Sequence, residues 1–517
     1  MTEDMELVLD WLRTAGQALA GLFTLPYFYI ALLIVWWHGR QQVVLQRQLF
    51  HVRLRGSIPM MIGRSVAGLA VGAALSALGF AAGANLTQET LLCVWAATIV
   101  LAIFRLHYIC LAYAAGALGV VQALLAWTGL ESRAGETLAP VARALAGIDV
   151  PALLFLAGLL HIAEGILVRA QGARYATPLF LEGKRGKPVG AYSLSGVWPV
   201  PLLWLIPTAG GAGLSLPWTP LFGLDGAGGA AASAAGWTLA AFPVLIGFSE
   251  RTETRWPGDK ARETARGLVV YGAAVAALAA GAAFWAPLTV AAALAAFAGH
   301  EGLLLRGRFS ERGRQPVYVQ RGRGVTVLAV LPGTPAAEMQ LEAGEIVTKV
   351  NGMSVRSKEQ LHAALQLQSA FCKLEVLNRE GHVKFAQRAR YAGEHYQLGL
   401  ILAPDEDAEY VAAPRAASLW QGLRHAGARL RGERGAGLTG ARDETAAAVE
   451  DASTVAVEVP GERGAGVQDV GEPATGEAVA ASESTATRET GTALPPAVVA
   501  APSEPGLPPR RSRRGTS

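Results

Sequence analysis

Nine apolar runs punctuate the first 305 residues and constrain the fold more than any other feature: Pro26–Trp37, Ser65–Ala84, Leu91–Phe104, Leu106–Trp127, Val150–Val168, Val197–Pro207, Ala231–Phe248, Gly267–Trp285 and Pro287–Leu305. A membrane-crossing helix takes about 20 apolar residues, within a range of roughly 17–25. Most of the runs qualify. Pro26–Trp37 and Val197–Pro207 are short and must borrow flanking residues or re-enter. The expected fold class is therefore an all-α polytopic membrane domain over residues 1–305, with about 8–10 spans. Leu7–Phe23 is amphipathic and suits the interface or a weak span. No cleavable leader is expected, because Asp10 and Arg13 interrupt the first apolar stretch. Composition agrees: 51% of residues are hydrophobic and 17% charged, where soluble domains average about 25% charged.

Basic residues fall in four clusters: Arg40, Arg47, Arg53 and Arg55; Arg169, Arg174, Lys184, Arg185 and Lys187; Arg251, Arg255, Lys260, Arg262 and Arg266; Arg306, Arg308, Arg312 and Arg314. The intervening loops are poor in Lys and Arg, so all four clusters share one side. By the positive-inside rule that side is the cytoplasm. The expected location is a multi-pass plasma-membrane protein with everything after Arg306 inside the cell. The net charge of +4 conceals an acidic tail after Pro404, with twelve Arg against seventeen Asp and Glu. Positive charge gathered beside apolar runs reads as membrane topology, and no nucleic-acid partner is expected.

Two spans end alike. His161 and Glu164 precede Arg169, and His300 and Glu301 precede Arg306. Ionisable groups within spans raise a functional question. His161 and Glu164 share a helix face and suit a metal or a proton relay. His300 and Glu301 diverge around their helix. The plainer reading is an interfacial ion pair, with Arg reaching the headgroups. His-Glu-x-x-His is absent, so no catalytic residue, metal or cofactor is expected. Cys93, Cys110 and Cys372 offer no disulfide framework and read as small buried apolar residues.

From Gln315 the pattern changes to short alternating runs. Strands are expected at Val325–Val330, Glu345–Val350, Phe371–Leu377, His382–Arg390 and Gln397–Leu402. Pro332–Pro335 is a turn, Asn351-Gly352 a tight hairpin, and Ser357 caps a helix Lys358–Gln368 with Gln360 as partner. A small α/β module is thus expected over 315–403. Residues 404–517 are rich in Ala, Glu, Gly and Pro and have no aromatic residue after Trp420. Such a tail is expected to be disordered, apart from a short basic amphipathic helix at 416–431 that suits an acidic leaflet.

The module resembles a bacterial-type PDZ domain. The residues that carry this are Val325–Val330, Leu331-Pro332-Gly333-Thr334-Pro335-Ala336, and Gly344-Glu345-Ile346-Val347 running to Val350-Asn351-Gly352. PDZ domains add a partner strand to a sheet edge beside a helix. The resemblance makes Lys358, Leu361, His362, Ala364 and Leu365 groove candidates, with Leu361 and Leu365 leaning toward the core. A carboxylate-binding loop is expected at Leu398-Gly399-Leu400-Ile401, or alternatively at Val319–Gly324.

Over roughly residues 20–403 the chain resembles the MinJ-like membrane PDZ proteins of Gram-positive rods. The residues are Pro26-Tyr27-Phe28-Tyr29, Pro178-Leu179-Phe180, Glu182–Gly186, Trp198-Pro199-Val200-Pro201, Phe371–Val376 and Gln387-Arg388-Ala389. The resemblance implies a division-site scaffold enriched at septa and poles. Its partners would be DivIVA-type proteins and the MinC–MinD inhibitor, besides the lipid bilayer, with a homo-oligomer left open. The competing readings are a PDZ-gated intramembrane protease and a transporter or sensor with an accessory PDZ domain.

Overall fold

The computed structural model describes residues 2–129, 138–183, 186–208, 236–368, 370–391 and 398–405, with a few single positions between 213 and 222. The tail beyond residue 405, including the helix expected at 416–431, lies outside them.

The first region is helical. Its elements are α1 (Thr2–Leu22), α2 (Pro26–Phe50), α3 (Ser57–Ala82), α4 (Gln88–Phe104), α5 (Leu111–Thr128), α6 (Ala139–Ala146), α7 (Val150–Leu167), α8 (Pro257–Ala282) and α9 (Leu288–Arg312). Among the described residues, α3, α5, α7 with its continuation to Gly172, α8 and α9 are long and apolar enough to cross a membrane. The pair α1 and α2, bent by 63°, would make a sixth span. At 17 residues, α4 is short. Several apolar helices therefore fit a multi-pass membrane protein, but they are fewer than the eight to ten expected.

The difference has a local cause. Val197–Pro207 and most of Ala231–Phe248 are strands, not helices: β2 (Pro188–Pro207) and β3 (Trp237–Thr252) form a long antiparallel hairpin, with β1 (Thr177–Glu182) beside β2. Pro199 and Pro201 remove donors and clash inside a helix. The bulky residues around them recur with period two. Trp198, Val200, Leu202 and Trp204 line one buried face, as a pleated strand requires.

This hairpin packs on α3 through small residues. A Cβ at Gly68 or Gly72 would lie 2.1 or 2.4 Å from the carbonyl oxygens of Pro199 and Pro201, and one at Gly79 would meet the Trp204 ring. Ser76, on the same stripe, donates to the Gly72 carbonyl at 2.7 Å and accepts from the Leu203 N–H at 2.9 Å. Small residues that let backbones approach are the usual device of membrane packing.

The basic ends of the elements meet at the base of the hairpin. Arg64 is fully buried there. Its guanidinium bonds His38 Nδ1 at 2.9 Å, the Ser195 carbonyl at 2.9 Å and Gln42 Oε1 at 3.2 Å, tying α2 and α3 to β2. The Glu311 carboxylate of α9 accepts from the Thr252 and Thr254 hydroxyls, and Lys260 of α8 lies 3.3 Å from Glu250.

The second region carries β4 (Val325–Val330), α10 (Pro335–Glu338), β5 (Ile346–Val350), β6 (Met353–Ser354), α11 (Lys358–Leu367), β7 (Phe371–Leu377), β8 (Val383–Ala389) and β9 (Leu400–Leu402). The sheet order is β8-β7-β5-β4-β9, with β6 on β5. Asn351 and Gly352, both at positive φ, turn the β5–β6 hairpin. Ser357 Oγ accepts from the Gln360 N–H and starts α11.

Candidate peptide groove and a buried polar cluster

Although last in sequence, β9 lies beside β4, the module's first strand, and ends the sheet. Leu398 and Gly399 approach it at φ 57° and 80°. A Cβ at Gly399 would meet Thr334 within 2.5 Å. The Leu331 N–H bonds the Gly399 carbonyl and the Ala336 N–H that of Leu398, both at 2.9 Å. In an antiparallel ladder bonded residues alternate with outward ones. The bond from Leu331 to Gly399 therefore leaves the N–H and C=O of Leu400 facing the open edge. Ile401 is buried on the opposite face, with Leu328 and Ala329. Val319–Gly324, the alternative loop, instead braces β4: the Val319 carbonyl and Gln320 Oε1 take bonds from Thr326.

On α11 the candidates divide. Leu361, Ala364 and Leu365 are buried in one core with Leu398, Leu400, Val325 and Val327. Lys358 is exposed and His362 half-buried. Burial, and then the Lys358 charge, hold the His362 imidazolium below its ordinary range. As pH falls, the unfolded chain therefore takes this proton first. The group is silent above about pH 6.5 and removes stability below it. His362→Gln should flatten the acid limb of the thermal midpoint plotted against pH. An unchanged limb would show that other groups carry it.

The module is fastened to the hairpin base. Tyr318 is fully buried. Its carbonyl accepts from the Gly190 N–H at 2.9 Å, and its ring lies 5.2 Å from Trp256 and 5.3 Å from Tyr192. The Tyr192 hydroxyl bonds the Leu328 carbonyl, and Arg379 stacks on Trp256 at 4.6 Å. Burial pushes both phenols above their usual range. This contact, invisible in the sequence, fastens the module to the hairpin that packs on the helices.

The PDZ domain family matches residues 326–379. Over 393 residues the chain is 30% identical to the cell division topological determinant MinJ of Bacillus subtilis, covering 75% of this chain and 94% of that protein. The chain belongs to the MinJ family. It is also 28% identical over 292 residues to the probable cell division topological determinant MinJ of Lacticaseibacillus paracasei, covering 54% of this chain and 73% of that protein. No solved structure matches the chain. As a MinJ-family chain it joins apolar helices to a PDZ domain, a module that binds protein partners.

The spans hold a second cluster, which the sequence divides between two pairs. His161 of α7 and His300 of α9 lie with ring centroids 5.0 Å apart. Cys110, at the start of α5, has its Sγ 3.5 Å from His161 Nε2. Glu164 Oε2 is 4.0 Å from the same nitrogen. Glu301 turns away, accepting from the Tyr113 hydroxyl at 2.9 Å and lying 3.3 Å from His107 Nε2. Cys110 carried no functional signal in the sequence because its neighbours there are apolar.

Proposed function

We propose that the chain is a membrane-anchored, non-enzymatic scaffold for division-site selection, gripping partner peptides along the open edge of β9 beside α11. The observation that carries this is the outward backbone of Leu400, following the left-handed Leu398-Gly399 turn, in a MinJ-family chain. Backbone bonds along β9 supply affinity, Lys358 and His362 supply selection, and the Leu398-Gly399 turn receives a terminal carboxylate. The PDZ module comprises residues 315–403, after the membrane domain 1–305, with residues 404–517 as its tail. The shared side of the four basic clusters supports a cytoplasmic module. By resemblance, its partners are DivIVA-type and MinC–MinD-type factors at septa and poles.

The test is a fluorescent fusion in dividing cells, with the wild type beside a Lys358→Glu/His362→Glu variant. The wild type should concentrate at septa and poles. The variant should insert but recruit Min-type factors poorly, giving misplaced septa or filaments. An even membrane distribution, with division sites unchanged on deletion, would remove the division role and leave a membrane-held peptide binder. A reporter fused after Pro404 and active only outside the cell should stay silent.

A further inference from the structure

We infer that Cys110, His161 and His300 form a zinc site that pins α5, α7 and α9 together inside the membrane region. One ligand atom from each lies within 4.8 Å of the others. Zinc takes thiolate sulfur at about 2.3 Å and imidazole nitrogen at about 2.0–2.1 Å in a tetrahedron, which sets the two donors about 3.5 Å apart. Cys110 Sγ and His161 Nε2 stand at 3.5 Å.

The surroundings prepare the donors. His161 Nδ1 donates to the Ala157 carbonyl at 2.7 Å. That bond fixes the tautomer and leaves the Nε2 lone pair for a metal, as outer-sphere carbonyls do at known sites. His300 Nδ1 is buried with no hydrogen-bond partner among the described residues. An orphaned buried nitrogen beside two further donors is costly without a ligand. Glu164 is the carboxylate in reach of the fourth position. Glu164, Cys110 and His300 line one cavity of about 390 Å³. His161 and His300 lie eight and six residues before Arg169 and Arg306. At 1.5 Å per residue the site is thus roughly 9–12 Å inside the basic ends. Binding replaces the Cys110 S–H bond by S–Zn, and the proton leaves to cavity water. Sulfur, nitrogen and oxygen donors also suit other first-row ions, so metal identity is part of the test.

The test uses the full chain, purified through a tag without histidine and held in nanodiscs. Elemental analysis should find one zinc per chain. Cobalt substitution should give tetrahedral visible bands and a sulfur-to-cobalt charge-transfer band. Cys110→Ser should abolish that band, His300→Gln should weaken retention at least tenfold, and Glu164→Gln should keep the band with weaker retention. Cys93→Ser should change nothing. Should a variant fail to fold, thiol alkylation of the wild type decides the matter. Cys110 should resist the reagent until a chelator is added, whereas Cys93 should react equally with and without it. Absence of stoichiometric metal, zinc retention unchanged by Cys110→Ser, or chelator-independent labelling of Cys110 would each overturn the site and leave a thiol–imidazole hydrogen bond in its place.

Discussion

Ala364→Glu should unfold the PDZ module, while Lys358→Glu, six residues earlier on the same helix, should leave it folded. Ala364 is 4% exposed among Leu361, Leu365 and Leu374. A carboxylate there has no partner in that core and loses its hydration. Uncompensated buried charge costs roughly 3–5 kcal/mol, against about 5–15 kcal/mol for a whole domain. Lys358 is exposed, and such surface changes stay within about 0.5 kcal/mol. Thermal unfolding and limited proteolysis of the full chain in nanodiscs read both variants. Ala364→Glu should lose the module's transition, and Lys358→Glu should keep it while changing which peptides bind. If Ala364→Glu keeps protease resistance and loses only peptide binding, that face of α11 lines the groove and the core placement is wrong.

The same helix shows what the sequence can convey. Its apolar stripe announces a buried face, but not whether that face meets the module's own sheet or a guest strand, because both are apolar. Only the position of β9 separates them, and β9 is three residues long, more than thirty residues beyond α11. The local elements are legible because local chemistry sets them: the Ser357 cap, the Asn351-Gly352 turn and the alternating strand at Phe371–Leu377 all form where side-chain pattern places them.

The membrane region is legible in type and less so in number. Apolar runs announce burial in lipid or protein without distinguishing a span from a buried strand. At Trp198–Trp204 the deciding signal is the pair Pro199 and Pro201 set within the alternating bulky residues Trp198, Val200, Leu202 and Trp204. The convergence of His161 and His300 was beyond reach for another reason. They are 139 positions apart, and their meeting depends on how α7 and α9 pack. Spacing along one helix reveals which groups share its face, and nothing about a group supplied by another helix.

Gly72→Ala is expected to destabilise the membrane region strongly, because it strikes a backbone that cannot retreat. The added Cβ would sit 2.4 Å from the Pro201 carbonyl oxygen and 3.3 Å from its carbon. Side chains yield by changing rotamer, but Pro201 lies in the middle of β2, registered against Pro243 of β3. Moving it displaces the hairpin or drives it off α3. The shift would also break the Ser76 bond to the Leu203 N–H. Overpacking costs typically about 1–3 kcal/mol, and an orphaned buried donor adds about 1–3 kcal/mol. Gly302→Ala is the matched control. It lies in α9 with nothing within 4 Å of its Cβ position, and alanine gains up to about 1 kcal/mol of helix propensity over glycine. In detergent melts, Gly72→Ala should lower the midpoint by several degrees or more, while Gly302→Ala should leave it level or raise it. Because the far end of the same hairpin holds Tyr318 and the PDZ module, Gly72→Ala should also speed protease cleavage between residues 313 and 324. If Gly72→Ala melts with the wild type, the hairpin does not rest on α3 and the mooring of the module must be sought elsewhere.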